Sequence, residues 1–185
     1  MSTNPASLGR HLRTLRVVGR AEALWDRLGD NPDIEAMLVF SPDNIRWLIG
    51  FSGSAGTLVV RRQEMVFITD GRYIEQARAQ AKSSGAAVEV REARSKSDHL
   101  EVFADVVSTC SVCGFDPTEL TVENFEIYSR AIGGKLTPVS GLVANLRRIK
   151  SDAEVARIEA AAVVTDRALV EVESMLNDGV TERDI

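Results

Sequence analysis

Histidine and cysteine are scarce in this chain of 185 residues, which holds two of each. A structural zinc site needs paired Cys or His ligands, and Cys110-x-x-Cys113 has no second pair to complete one. His11 and His99 offer no matching ligand pair. A thioredoxin-like redox role is disfavoured too, because that motif follows a strand and opens a helix. Here an apolar-periodic helix precedes the cysteines and the strand "VCGFD" follows, so they read as two partly buried thiols of a reducing compartment. Basic residues are outnumbered, 22 Lys and Arg against 27 Asp and Glu, giving a net charge of -5. That balance argues against nucleic acid as the main partner. No apolar run reaches the roughly 18 residues needed to span a bilayer, so no membrane partner is expected. A secretory signal is lacking as well, which makes a cytoplasmic setting the expectation. What is there, 44% apolar and 26% charged residues, suffices for a buried core.

The one basic region lies at the start, where Arg10, Arg13, Arg16 and Arg20 alternate with Leu8, Leu12, Leu15 and Val18. It reads as the polar face of a first helix continuing through Ala21, Leu24, Trp25 and Leu28 to Gly29, with an organelle transit segment as the alternative. Beyond it, strand-like and helix-like periodicities alternate, which predicts strands and helices interleaved around a mixed sheet. "AMLVFS" is a buried strand, and "SPDNIRWLIG" a helical turn with Ser41 as cap, Pro42 at its first position and Gly50 as its stop. "GTLVVRR" and "EMVFITD" form an antiparallel hairpin turning near Arg62 and Gln63. "GRYIEQARAQAKSSG" is a helix closed by Gly85, with Asp70 as its cap, and "AAVEVRE" a further strand. "SDHLEVFADVVS" is a helix capped by Ser97 or Asp98, and "SVCGFD" a strand. A helix capped by Thr121 and stopped by Gly133 and Gly134 comes next, then "KLTPVS" as an edge strand, since Pro138 cannot donate to a ladder.

The last part differs in kind. Ser151 and Glu154 have the spacing of a capping box. Val155, Ile158, Ala162, Thr165, Leu169, Val172 and Leu176 then recur at steps of three and four, a stripe along a helix of about 25 residues that Asn177, Asp178 and Gly179 end. Thr181 and Asp184 repeat a cap signal with no helix after it, so the chain is expected to be a piece of a longer protein. Its uncovered stripe is expected to dock on, or swap with, another copy.

"GFSGSAGTLVV", Gly50 to Val60, concentrates glycine and serine. Its spacing matches neither the dinucleotide turn nor the phosphate loop, and both of those lead from a strand into a helix rather than from a helical turn into a strand. It contains no G-x-S-x-G and has no histidine nearby to serve a serine nucleophile. Tight passage into a hairpin explains its glycines. Asp70, Asp116 and Glu119 stand at strand ends, where carboxylates can hold a divalent cation; Asp70 and Asp116 also suit a helix cap and a turn before Pro117.

Four stretches together carry a resemblance: "NIRWLIGFSGSAGTLVV", "FITDGRYIEQARAQ", "VCGFDPTELT" and "LVANLRRIKSDAEVARIEAAAVVTDRALVEVESMLNDGVTERDI". In this order and spacing the chain resembles the amino-terminal part of Xaa-Pro peptidases of the aminopeptidase P, prolidase and creatinase family. The resemblance implies an amino-terminal non-catalytic α/β domain over residues 1–145, a three-layer mixed sheet with helices on both faces and a ribonuclease H-like topology. Residues 146–185 would be the linker and first helix of a truncated pita-bread domain. It further implies two divalent metals, manganese, cobalt or zinc, held by two Asp, one His and two Glu beyond Ile185. These chain residues would then include no catalytic residue and no metal ligand, and the chain would be inactive alone. The whole protein would hydrolyse the X-Pro bond of short peptides, as aminopeptidase or dipeptidase, in a homo-oligomer and most simply a dimer. In such an oligomer Phe51, Ser52, Gly53 and Ser54 would form a wall of the neighbouring subunit's site. Creatinase-like members place an aromatic and an arginine near here; this sequence keeps Phe51 but follows it with Ser and Gly, which argues against creatine as substrate. The alternative is a binding or oligomerisation module of a degenerate relative.

Overall fold

The computed structural model describes residues 12, 15–31, 33–176 and 179–184. Six strands form one open mixed sheet: β1 (Ala36–Val39), β2 (Thr57–Arg61), β3 (Met65–Asp70), β4 (Glu89–Ala93), β5 (Val112–Phe115) and β6 (Lys135–Pro138). Their spatial order is β4-β3-β2-β1-β5-β6. The hairpin β2–β3 is antiparallel, turns through Arg62 and Gln63, and pairs Leu58 with Phe67. β1 also runs antiparallel to β2, whereas β1–β5, β3–β4 and β5–β6 are parallel. Pro138 therefore lies on an edge strand, where its missing N–H leaves no ladder bond unmade.

Helices cover both faces, and the alternation of side chains along each strand explains how. Met37, Val39, Leu58, Val60 and Phe67 point to a core filled by α1 (Arg20–Arg27), α2 (Pro42–Ile49), α3 (Ile74–Ser84) and α6 (Leu142–Arg147). Ala36, Leu38, Val59, Val66 and Ile68 point the other way, onto α4 (Lys96–Val107) and α5 (Val122–Ala131). Phe67 and Phe103 are wholly buried, one in each core, and a side chain of that size stabilises by roughly 1.5–3 kcal/mol when removed from water. Both cysteines are buried and free, Cys113 in the sheet and Cys110 just before it.

Several helix starts differ from the sequence expectation. The first helix opens only at Arg20, after Gly19 in the left-handed region, so Leu15 to Val17 are not helical; Leu8, Arg10, His11 and Arg13 lie outside the described residues. Ser41 stands at the start of α2 but makes no side-chain cap bond. Instead the carboxylate of Glu119, 78 residues away, accepts the N–H of Ser41 itself at 2.9 Å. Asp70 does not cap α3 either: it accepts Arg72 N–H at 3.0 Å in a turn, and the helix begins after Tyr73. α4 is capped by Ser95, which accepts Asp98 N–H at 3.1 Å, rather than by Ser97 or Asp98. Thr121 caps α5 as its spacing predicts. Ile132, not Gly133, is the residue where α5 stops.

Arg16–Ile149 form one compact unit, and the residues from Lys150 on belong to a second. The second is described by α7 (Asp152–Met175), a helix of 24 residues that begins with the complete Ser151–Glu154 capping box. No residue of α7 is buried. Of its predicted stripe, Ile158, Leu169 and Leu176 are more than half exposed, at 56%, 65% and 61%. Asn177 and Asp178, expected to end the helix, lie outside the described residues.

Candidate functional site

The Gly50–Gly56 loop is held by the turn and helix that follow β3. Gln80 grips Ser52 with both ends of its amide, accepting Ser52 N–H at 2.9 Å and donating to Ser52 Oγ at 2.7 Å. Gln76, one turn earlier on α3, adds a bond to the same Oγ at 3.3 Å. Ser54 Oγ meets Tyr73 OH at 3.0 Å, and Thr69 Oγ1 donates to Ala55 O at 2.7 Å. Asp70 and Arg72 form a two-bond ion pair beside Tyr73, and the guanidinium lies over the Tyr73 ring. The pair holds the Asp70 carboxyl below its ordinary range, chiefly through the Arg72 hydrogen bond. The "GFSGSAG" and "TDGRY" stretches are thus two sides of one bonded unit.

Of the four residues expected to face a neighbour, Phe51 is 2% exposed. Its ring packs against Phe67 at 4.7 Å and edge-on to Tyr73 at 5.6 Å. Ser52 and Ser54 are exposed and Gly53 is half-buried, so these three supply the loop's outer surface. The glycines have separate reasons. Gly50 ends α2 at φ 79, which an L side chain rarely adopts. A Cβ on Gly53 would stand 2.2 Å from Phe51 Cζ, and one on Gly56 2.4 Å from Phe67 Cζ.

Beside this loop, at the carboxyl ends of β1, β3, β4 and β5, opens a cleft of about 520 Å³. Its floor is polar and neutral. Thr57 Oγ1, buried at the start of β2, lies 3.0 Å from His99 Nε2 and 3.3 Å from Tyr128 OH. Tyr128 is wedged between Phe40 and Phe103. Burial pushes His99 below its ordinary pKa, against a smaller opposing pull from Asp98. Thr57 and His99 have the separation of a nucleophile and its base. With Thr57 only 3% exposed and Asp98 turned to Arg94 N–H, the pair is a satisfied buried hydroxyl and no attacking group.

β1 and β5 are parallel neighbours whose following helices, α2 and α5, pack on opposite faces. In such sheets the crevice between them is the usual ligand position. Here the chain fills it: Glu119 accepts Phe40 N–H at 2.7 Å, Ser41 N–H at 2.9 Å and the Asn44 amide. Asn44 in turn accepts from Arg147 at 2.9 Å. Asp116 is engaged too, accepting from Thr118 and from Gly141 N–H at 2.7 Å. Among the described residues no three His, Cys, Asp or Glu side chains gather as metal ligands, so these carboxylates do not fit a divalent metal pair. Burial pushes the Cys113 thiol up to about 12, so at neutral pH it rests as the protonated thiol.

In the sequence alone His99 stands only as a possible zinc ligand and Glu119 only as a strand-end acid. Gln76 and Gln80, one turn apart, were the available local signal for a polar grip, but their partner lies 28 residues from Gln80. Among the described residues no helix is long and apolar enough to cross a membrane.

Three comparisons bear on what this arrangement belongs to. The family described as creatinase/prolidase N-terminal domain matches residues 20–149. The uncharacterized peptidase YqhT of Bacillus subtilis is 34% identical over 162 residues, covering 86% of this chain and 43% of its own. The chain therefore spans less than half the length of the curated relatives it matches first. Among solved structures, a Xaa-Pro dipeptidase from Bacillus anthracis superposes with a TM-score of 0.81 at 29% identity, covering 91% of this chain and 46% of its own. The N-terminal domain of the cytoplasmic peptidase PepQ from Mycobacterium tuberculosis gives a TM-score of 0.60 at 29% identity, covering 70% of this chain and 98% of that one.

Proposed function

Because the chain belongs to the creatinase/prolidase amino-terminal domain family, we propose that it serves a metal-dependent Xaa-Pro aminopeptidase or dipeptidase as its non-catalytic amino-terminal domain. The observation that carries this reading is the fold shared, at 29% identity, with a Xaa-Pro dipeptidase. In the whole enzyme two divalent metals, manganese, cobalt or zinc, would activate a water toward the X-Pro amide. The residues described here do not fit those metals, and no step of the hydrolysis runs through their side chains. The chain alone is inactive on this reading, and the enzyme works in the cytoplasm.

This domain's contribution is access and assembly. The enzyme is a homo-oligomer, most simply a dimer, in which the loop from Phe51 to Ser54 lies against the neighbour's site and limits it to short peptides. Ser52, Gly53 and Ser54 make the contact, while Phe51 stiffens the loop from below. The bidentate Gln80 grip and the Ser54–Tyr73 bond support the reading, because a wall must hold its shape as peptide arrives. The test is hydrolysis of X-Pro peptides with Mn(II) by the complete gene product and by this chain. Activity in the former alone is expected; a complete product inert on every X-Pro peptide overturns the assignment. A smaller rise in kcat than in KM for long peptides on Ser54→Ala would speak against the wall.

A further inference from the structure

The lining of the cleft at the carboxyl ends of the strands divides sharply by hydrogen-bonding role. Its carboxylates are taken. Asp70 is held by Arg72, and Glu119 by Phe40 N–H, Ser41 N–H and Asn44. Its uncommitted side chains are donors. Among the described residues the side chains of Arg94, Lys96 and Asn124 have no hydrogen-bond or ion-pair partner, and all three line the cleft. On the floor, the Thr57 and Tyr128 hydroxyls are bonded to each other and to His99 Nε2, a closed neutral base to the cleft. Phe40 and Leu120 add an apolar wall. A chain with five more acids than bases here leaves two adjacent cations unpaired around a roomy opening.

We propose that this cleft binds a small oxyanion, a phosphate or a carboxylate, carried on a body no larger than a dipeptide. Arg94 and Lys96 would supply the charge, Arg94 with the fork that suits two oxygens of one anion. Asn124 would donate a third bond, and the Thr57–His99–Tyr128 floor would bound the depth. The inference stands on these side chains alone and needs no catalysis.

The test is a titration of the isotope-labelled chain, followed by amide shifts, with inorganic phosphate, with an X-Pro dipeptide and with the same dipeptide as its amide. Saturable shifts confined to Ala55–Thr57, Arg94–His99 and Asn124–Tyr128 are expected with at least one anion. Saturation by phosphate alone identifies a phosphate site, and saturation by the dipeptide but not its amide a carboxylate site. The double variant Arg94→Gln, Lys96→Gln, both exposed positions, should weaken binding roughly tenfold or more with an unchanged melting temperature. No saturable shift with either anion, equal binding of acid and amide, or unchanged affinity in the folded double variant overturns the proposal. Each of these outcomes leaves the peptidase reading where it was, since none measures hydrolysis.

Discussion

His99 illustrates how a single side chain acquires its character from its surroundings. Its Nε2 faces two hydroxyls, Thr57 and Tyr128, and the charge that acts on it is that of Asp98. Burial is the larger influence and lowers the folded-state pKa. The unfolded chain then binds the proton more readily, so stability is complete above the imidazole's ordinary 6.5 and is lost as pH falls from there toward the folded value. Urea midpoints measured across mildly acidic pH should show that loss. Replacement by Gln, which keeps a polar end but does not titrate, should flatten that part of the profile; a profile unchanged in the variant would remove His99 as the cause.

At the scale of elements, the β2–β3 hairpin depends on the loop that feeds it. Gly56→Ala would set a methyl against the fully buried Phe67 ring and should cost roughly 1–3 kcal/mol in a denaturant melt. Ser54→Ala, on the exposed rim of the same loop, should stay within about 0.5 kcal/mol of the parent. Much at this scale could be read from the sequence, because its signals are local. The hairpin turn at Arg62 and Gln63, the Thr121 cap and the Ser151–Glu154 box each involve residues within a few positions. The misplaced caps have a common reason. Ser41, Asp70 and Ser97 are all good cap formers by type, but the N–H of Ser41 is taken by a carboxylate 78 residues on, Asp70 is drawn to a neighbouring guanidinium, and a serine two residues earlier holds the cap position before Ser97. The cleft was invisible for the same reason. Thr57, His99 and Tyr128 are 29 to 71 residues apart, and only the sheet order brings them together. Phe51 was identified as a loop residue, yet nothing in the sequence showed that its ring turns inward.

At the scale of the whole molecule, α7 leaves Ile158, Leu169 and Leu176 largely exposed on a helix with no buried residue. Such a stripe is unfavourable in water, and this chain should self-associate, with a sedimentation coefficient that rises with concentration. A strict monomer at high concentration would count against it. The Glu119 carboxylate joins the two windings of the sheet, tying the end of β1 and the start of α2 to the segment after β5. Glu119→Ala should cost roughly 2–4 kcal/mol by leaving these donors without an acceptor. Formate, a carboxylate with nothing attached, should then recover part of the lost melting temperature where equal chloride does not. A fold whose crevice is filled by its own carboxylate has its ligand built in: the seat that doubly wound sheets lend to passing cofactors is here a tenancy held by the polypeptide itself.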